Sequence, residues 1–240
     1  MSLKPWVDAL RNPPIQYQKG WTEFYKLKFK LTPDVLIPRP ETELLVDEVL
    51  KLAPEALERK QKEKIDPKKK LGVSALEIGT GSGCIAISIV KNLKDVGVVA
   101  TDISEKAVEI ARKNADFNHV SIKNLVIIQN DLYEKFTMPP DIIVANLPYI
   151  PTAKLLLIDP MVRDFEPMLA LDGGSDGFEL YRKLFAQIRE SKLFPKYLIC
   201  EIDEDQADLA RQEVQRYFPE AELEIKKDLA KKDRVLVVRF

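Results

Sequence analysis

The sequence predicts an α/β fold: a mostly parallel sheet covered on both faces by helices and closed by a C-terminal antiparallel hairpin. Three observations point there. From Val73 onward, short apolar runs alternate with stretches of helical period, as in a parallel sheet whose strands are joined by crossover helices. A glycine loop, Gly79-Thr80-Gly81-Ser82-Gly83, separates the first such run from the first such helix. At the end, two strand-like runs follow each other with no helix between them, so they should pair antiparallel.

Taken in order, residues 1–14 are interrupted by prolines and predict little structure. Tyr25, Leu27, Phe29 and Leu31 alternate with Lys26, Lys28 and Lys30, the pattern of a half-buried strand. Ile15-Gln16-Tyr17-Gln18, ahead of Gly20, is its expected hairpin partner. Pro33 to Pro40 should be an extended link. Glu41–Leu57 reads as a helix on the spacing of Leu44, Leu45, Glu48 and Leu52, with acidic residues crowding its first turn. Glu58 to Lys70 is charged and reads as a solvated helix end and linker. Residues 1–40 are thus expected to form a hairpin arm with a Pro-rich link, and residues 41–240 the main domain.

Strands are then expected at Val73–Ile78, Val98–Asp102, Leu125–Gln129, Ile142–Ala145 and Tyr197–Glu201. Helices are expected at Cys84–Asn92, Glu105–Phe117, Gly177–Glu190 and Asp205–Tyr217. Glu222–Lys226 and Arg234–Phe240 form the closing hairpin. No internal repeat is visible.

Composition narrows the function classes. Lys and Arg total 37 against 38 Asp and Glu, so no bulk charge draws the chain to nucleic acid or membrane. No run of about 18 apolar residues is present, which predicts no membrane span. The start carries no signal-peptide pattern. Two cysteines and one histidine do not make a tetrahedral metal site from Cys and His alone, nor a disulfide scaffold. The expectation is a cytoplasmic, metal-free globular protein. Cys84 should be a small packed residue, and His119 a solvated loop side chain.

The loop Gly79, Thr80, Gly81 and Gly83 lets the backbone turn tightly and approach a cofactor. Gly81-x-Gly83-x-x-Ala86 also satisfies a dinucleotide fingerprint, with Asp102 downstream. Glu77, at the end of the strand, suits a cofactor bearing an ammonium and a sulfonium better than one bearing a pyrophosphate. Asp102 can accept hydrogen bonds from ribose hydroxyls in either case. Asp131 falls where an adenine amino group is expected, and equally suits a helix cap or turn.

Asn146-Leu147-Pro148-Tyr149 follows the strand Ile142–Ala145. An amide or exocyclic amino nitrogen is a poor nucleophile, because its lone pair is delocalised. A catalyst can hold both of its N–H bonds with acceptors and aim it at a methyl carbon. The Asn146 carboxamide oxygen is one such acceptor. The carbonyl of Leu147 is a second, its direction fixed by Pro148. Tyr149 can wall a planar group. At a strand's carboxyl end, beside the glycine loop, this segment reads as methyl transfer from S-adenosylmethionine to such a nitrogen.

These residues, with Leu36-Ile37-Pro38-Arg39-Pro40-Glu41-Thr42-Glu43 and Glu166-Pro167-Met168-Leu169-Ala170-Leu171-Asp172-Gly173-Gly174, strongly resemble the HemK/PrmC family of protein-(glutamine-N5) methyltransferases. Asp176-Gly177, Glu201-Ile202 with Gln206, and Lys227-Asp228-Leu229 before Asp233-Arg234 extend the resemblance from about Tyr17 to Phe240. It implies a Rossmann-like class I fold, S-adenosylmethionine as cofactor, and a peptide chain release factor as protein partner, methylated on its Gly-Gly-Gln glutamine. Asn146 and the Leu147 carbonyl should hold the glutamine amide. Glu77, Gly79, Thr80, Gly81, Gly83, Asp102, Asp131 and Asn146 make up the expected cofactor site. Pro38, Arg39 and Pro40 should lie over the active site, and Asp172-Gly173-Gly174 should line the substrate entrance.

Two departures matter. The usual family motif is Asn-Pro-Pro-Tyr, and Leu147 replaces its first proline. The acceptor is a backbone carbonyl, which leucine also has. Asn-Leu-Pro-Tyr also occurs in ribosomal RNA adenine dimethyltransferases, so methylation of an adenine amino group in RNA or DNA is the second reading. Nucleic acid is not the expected direct substrate, since the Ile37-to-Glu43 and Leu171-to-Gly174 segments are not expected in such enzymes. A non-catalytic cofactor-binding module is the third reading. Family members usually carry a helical substrate-docking domain ahead of the hairpin, and the short stretch before it here predicts that this domain is absent.

Overall fold

The computed structural model describes residues 12–62 and 72–240. Expectations for residues 1–11 and for the linker over 63–70 lie outside the described residues. The chain enters through a short helix α1 (Ile15–Lys19), which follows Pro14 and is stopped by Gly20 in the left-handed region (φ 72°). A two-stranded hairpin follows, β1 (Trp21–Phe24) and β2 (Leu27–Lys30), with Phe24 opposite Leu27. This corrects the sequence reading twice. Ile15–Gln18 is helical and not a strand, and Tyr25-Lys26 is not strand but the two-residue turn, with φ of 49° and 61°. Both left-handed residues match the turn that twisted hairpins prefer, but neither is the Asn or Gly that announces it.

The hairpin does not hang free. Phe24 and Phe29 are buried in the main core, and Leu31, Val35 and Ile37 form a smaller cluster with Ala107 and Ile110. A single 3-10 turn, Pro40–Thr42, leads into helix α2 (Glu43–Lys62). That helix runs past Pro54 and beyond the expected end at Leu57, with Leu52, Ala53 and Ala56 buried.

The main sheet comprises β3 (Val73–Ile78), β4 (Val96–Asp102), β5 (Leu125–Gln129), β6 (Ile142–Ala145), β7 (Tyr197–Glu201), β8 (Glu222–Lys227) and β9 (Asp233–Arg239). Their order is β5-β4-β3-β6-β7-β9-β8; the first five strands run parallel, and β9 joins β7 antiparallel with β8 outside it. The crossover helices are α3 (Cys84–Asn92), α4 (Glu105–Phe117), the short α5 (Pro160–Arg163), α6 (Glu179–Ser191) and α7 (Ala207–Tyr217). The expected elements of this domain are all present, with β4 starting two residues earlier and α6 and α7 two residues later than the sequence suggested.

Alternate residues of each strand serve opposite faces, as the pleat requires. Ala75, Val98, Ile142 and Ile199 pack with α2, α3 and α4; Leu76, Ile143, Leu198 and Val238 pack with α6 and α7. Every residue of β6 is buried, so its sequence is one apolar run rather than an alternation. Asp141 clamps the amino end of this strand. It accepts from the Ser74 amide and hydroxyl and from Lys60, at 2.7–2.8 Å.

The turn supplies a stability test. Lys26 holds a left-handed conformation (φ 61°) that glycine adopts without a Cβ penalty. Lys26→Gly should raise the unfolding free energy by about 0.5–1 kcal/mol in urea titrations. A loss of stability would show that the Lys26 side chain, and not the turn geometry, holds the hairpin.

Candidate active site

Strands β3 and β6 are neighbours, yet the chain leaves β3 toward β4 on one side and β6 toward β7 on the other. Their carboxyl ends therefore open a crevice, the place where doubly wound sheets bind ligands. A cavity of about 310 Å³ lies there, bordered by the loops after β3, β4, β5 and β6 and by the arm.

Gly79, Thr80 and Gly81 line this cavity, and Gly81 (φ 53°) has open space where a side chain would stand. Gly83 is not among the lining residues. A Cβ there would meet Ala111 and Ile87 at 3.1 Å, so this glycine serves helix packing. Glu77 lies beneath the loop, fully buried. Its Oε2 accepts from the Thr80 hydroxyl (2.6 Å) and the Ala86 amide (3.2 Å), while Oε1 has no partner. Burial pushes its pKa up to about 8, against the lowering effect of those two bonds. Asp102 lines the cavity and accepts from the Gly81 and Ser104 amides at 2.8 and 2.9 Å. One lone pair on each oxygen stays available for a hydroxyl pair. Its pKa is also raised by burial. Asp131 is exposed and lines the cavity, in a turn where its carbonyl accepts from the Glu134 amide.

Asn146, Leu147 and Pro148 line the opposite wall. The Asn146 Nδ2 donates to the Thr42 hydroxyl at 3.2 Å, which leaves Oδ1 without a hydrogen bond among the described residues. The Leu147 amide donates to the Tyr181 hydroxyl (3.2 Å), and that hydroxyl donates in turn to the Glu201 carbonyl. Among the described residues the Leu147 carbonyl also accepts nothing. Tyr149 departs from the expectation: it is not among the lining residues, and its hydroxyl donates to buried Glu201 at 3.2 Å. It anchors the segment from behind. Asp172-Gly173-Gly174 likewise does not line the cavity, but braces this segment through Gly173 N to Ile150 O and Thr152 N to Gly174 O, both 2.8 Å.

Of the arm, Pro38 and Arg39 line the cavity and Pro40 does not. Glu166, only 5% exposed, holds this stretch by accepting from the Ile37 amide (3.1 Å) and the Arg39 guanidinium. Thr42, Tyr181 and Glu166 were not singled out by residue-level reasoning. Thr42 and Glu166 fall inside the motif segments, but nothing local marks them as partners of Asn146 and Arg39. Cys84 is a buried free thiol bordering the cavity, its pKa raised by burial. His119 is exposed, as expected.

Residues 52–159 match the family described as ribosomal protein L11 methyltransferase. Among solved structures, the human METTL16 catalytic domain in complex with an RNA hairpin is similar at a TM-score of 0.68 and 13% identity, over 97% of this chain and 92% of that one. A ribosomal protein L11 methylase from Lactobacillus delbrueckii has a TM-score of 0.53 at 21% identity, over 88% and 83%. At such identities the likeness concerns the fold alone. The fold is the Rossmann-like class I fold of those methyltransferases. Release factor glutamine methyltransferases are closer in sequence. That of Thermodesulfovibrio yellowstonii is 35% identical over 96% of this chain and 77% of its own length. Those of Lactococcus lactis and Flavobacterium psychrophilum are 37% and 38% identical, over 95% and 100% of this chain and 78% and 81% of theirs. The chain belongs to the release factor glutamine methyltransferase family.

The residues present fit the cofactor. Open space over Gly81 admits a ligand against the backbone, Asp102 retains acceptors for ribose hydroxyls, and Glu77, buried beneath the loop and outside the cavity lining, holds the loop through Thr80 and keeps one oxygen unpartnered. Asp102→Ala should weaken S-adenosylmethionine binding by about tenfold or more in calorimetry, since charge-assisted bonds are worth ~1.5–3 kcal/mol each at most. Unchanged affinity would displace the pocket.

Glu77 carries a pH signature. Its folded pKa of about 8 lies above the unfolded one, so folding favours the neutral carboxyl. That contribution is complete below the unfolded pKa of about 4.3 and is lost as pH rises through the folded value. The unfolding free energy of ligand-free protein should therefore fall between about pH 5 and about pH 9, and Glu77→Gln should flatten that part of the profile. Matching slopes for the two proteins would contradict it.

Proposed function

We propose that this chain methylates N5 of the glutamine in the Gly-Gly-Gln loop of a peptide chain release factor. The observation that carries this reading is the pair of unpaired acceptors, Asn146 Oδ1 and the Leu147 carbonyl, at the cavity wall. A primary amide offers two N–H donors, and two acceptors can fix its nitrogen in position and orientation. S-adenosylmethionine, when bound, supplies a methyl group activated by its sulfonium. The two oxygens would accept from the glutamine NH2, aim its nitrogen, and stabilise the positive charge that develops on it as the carbon–sulfur bond breaks; loss of one N–H proton to water then gives the neutral N5-methyl amide. Pro148 and the Tyr181 bond fix the Leu147 peptide, so the carbonyl is held before substrate arrives. Pro38 and Arg39, tied down by Glu166, close the cavity on the arm side.

The relatives are named for release factors, which supports a protein substrate. Charge supports it too. Among the described residues the cations lining the cavity are Arg39, paired with Glu166, and Lys106, paired with Asp34 at 2.8 Å. A nucleic-acid groove would present unpaired cations to phosphates. No helix among the described residues is long and apolar enough to cross a membrane. A cytoplasmic location fits a substrate that acts in translation.

Incubation with S-adenosylmethionine and a full-length release factor should add one methyl to the Gly-Gly-Gln glutamine, read by mass spectrometry. Asn146→Ala should lower turnover ~10²-fold with a much smaller change in cofactor affinity, by analogy with loss of one oxyanion donor. Leu147→Pro keeps the carbonyl but loses the amide that donates to Tyr181, a neutral bond worth about 1 kcal/mol, so turnover should stay within about tenfold of the parent. Label entering ribosomal RNA and not the release factor would overturn the reading in favour of adenine.

A further inference from the structure

Strand β2 has only β1 beside it, so the backbone groups on its outer edge need other partners. The Leu31 amide bonds Gly20, and the pairing continues as Thr22 with Phe29 and Phe24 with Leu27. Lys28 and Lys30, between these pairs, therefore turn their N–H and C=O groups away from β1. Helix α4 meets them with two asparagines. The Asn118 Nδ2 donates to the Lys28 carbonyl at 3.0 Å. Asn114 takes both groups of Lys30: its Oδ1 accepts from the amide at 2.7 Å, and its Nδ2 donates to the carbonyl at 3.0 Å. The spacing fits, since four helical residues rise about 6 Å and two strand residues span about 6.8 Å.

The same Asn114 Nδ2 also donates to the Ser82 carbonyl at 2.8 Å, in the glycine loop that lines the cavity. Asn114 is fully buried, and each of its partners is a backbone group that only donates or only accepts, so its carboxamide has a single orientation. Helix α4 supports both sides of this link. Ala111 packs on Gly83 of the loop, while Ala107 and Ile110 pack with Leu31, Val35 and Ile37, just ahead of Pro38 and Arg39 at the cavity. One buried side chain thus joins the cofactor loop to the arm. We infer that Asn114 is a positioning residue that couples cofactor binding to the placement of the arm, and through the arm to the substrate. A ligand seated against Gly81 fixes the loop, the Ser82 carbonyl then holds Asn114, and Asn114 holds Lys30. Such coupling is reciprocal, so a substrate docked under the arm favours the loop conformation that holds the cofactor. The substrate half rests on the function proposed above; the loop-to-arm half does not.

The test follows backbone amide hydrogen exchange by NMR, with and without saturating S-adenosylhomocysteine, in the parent, Asn114→Ala and Asn118→Ala, each first checked for folding by thermal melting. The probe is the Leu31 amide, which bonds Gly20 and neither asparagine. Amides of β8 and β9, at the far end of the sheet from β4 and β5, report overall stabilisation by the ligand. In the parent, the ligand should slow Leu31 exchange several-fold beyond the change seen there. In Asn114→Ala this extra slowing should vanish, and calorimetric affinity for S-adenosylhomocysteine should fall several-fold. Asn118→Ala loses an arm bond but no loop bond and should keep both. With release factor as substrate, Asn114→Ala should raise KM several-fold, with kcat at saturation within about threefold. Absence of the extra slowing in the parent would overturn the inference, whether or not the variants fold. A parent-like ligand response in folded Asn114→Ala would overturn the assignment to Asn114, even if its melting temperature fell. A parent enzyme inactive on release factor would refute the proposed substrate, while the exchange rates would still decide the loop-to-arm coupling.

Discussion

Two oxygens at the end of β6 must stay unpaired while the groups around them are held. That constraint organises the site. A free acceptor in a wall of packed side chains is costly unless a ligand or water completes it. Here the bonds beside the two acceptors are made so as to leave them open. The Asn146 nitrogen is committed to Thr42, the Leu147 amide to Tyr181, and the Tyr149 carbonyl to Gln206 at 3.0 Å. A single neutral bond contributes only about 1 kcal/mol, less than a tenfold preference. Rigidity therefore has to come from several such bonds acting on neighbouring residues of one short segment.

The fold places this segment where the cofactor loop can meet it. Pairing of β3 with β6 in parallel register, Ile78 opposite Ala145, brings Gly79 and Asn146 to the same edge. The Gly79 Cβ position lies 3.2 Å from Leu147, so loop and acceptor segment are in direct contact. The arm completes the enclosure from a distant part of the sequence. Its attachment relies on Glu166, whose two oxygens hold the Ile37 amide and Arg39 on either side of Pro38. A buried carboxylate with paired partners is costly to break, because removal of one partner strands the other.

Much of this could be read from the chain, because the signals were local. The apolar run Ile142–Ala145, the glycines after Ile78 and the acid at Asp102 each sit beside the strand that gives them meaning. The remainder depends on contacts that sequence spacing does not encode. Asn146 and Thr42 are 104 residues apart, and Ile37 and Glu166 are 129 apart. The hairpin was misplaced because Tyr25 and Lys26 adopt left-handed turns that their identities do not advertise. The Tyr149 ring was expected in the cavity, but its direction is set by Glu201 on a strand that enters the site much later in the chain. Gly83 matched a cofactor fingerprint, yet its lack of a side chain serves the approach of α3 to α4.

The central claim is that an amide nitrogen is held between the Asn146 carboxamide oxygen and the Leu147 carbonyl. A crystal structure of the chain with S-adenosylhomocysteine and a release factor carrying an unmodified Gly-Gly-Gln loop tests it most directly. The account predicts the glutamine Nε2 within hydrogen-bond distance, about 2.7–3.2 Å, of both oxygens. A glutamine amide bound elsewhere, or its nitrogen facing a rotated Asn146 Nδ2, would contradict it.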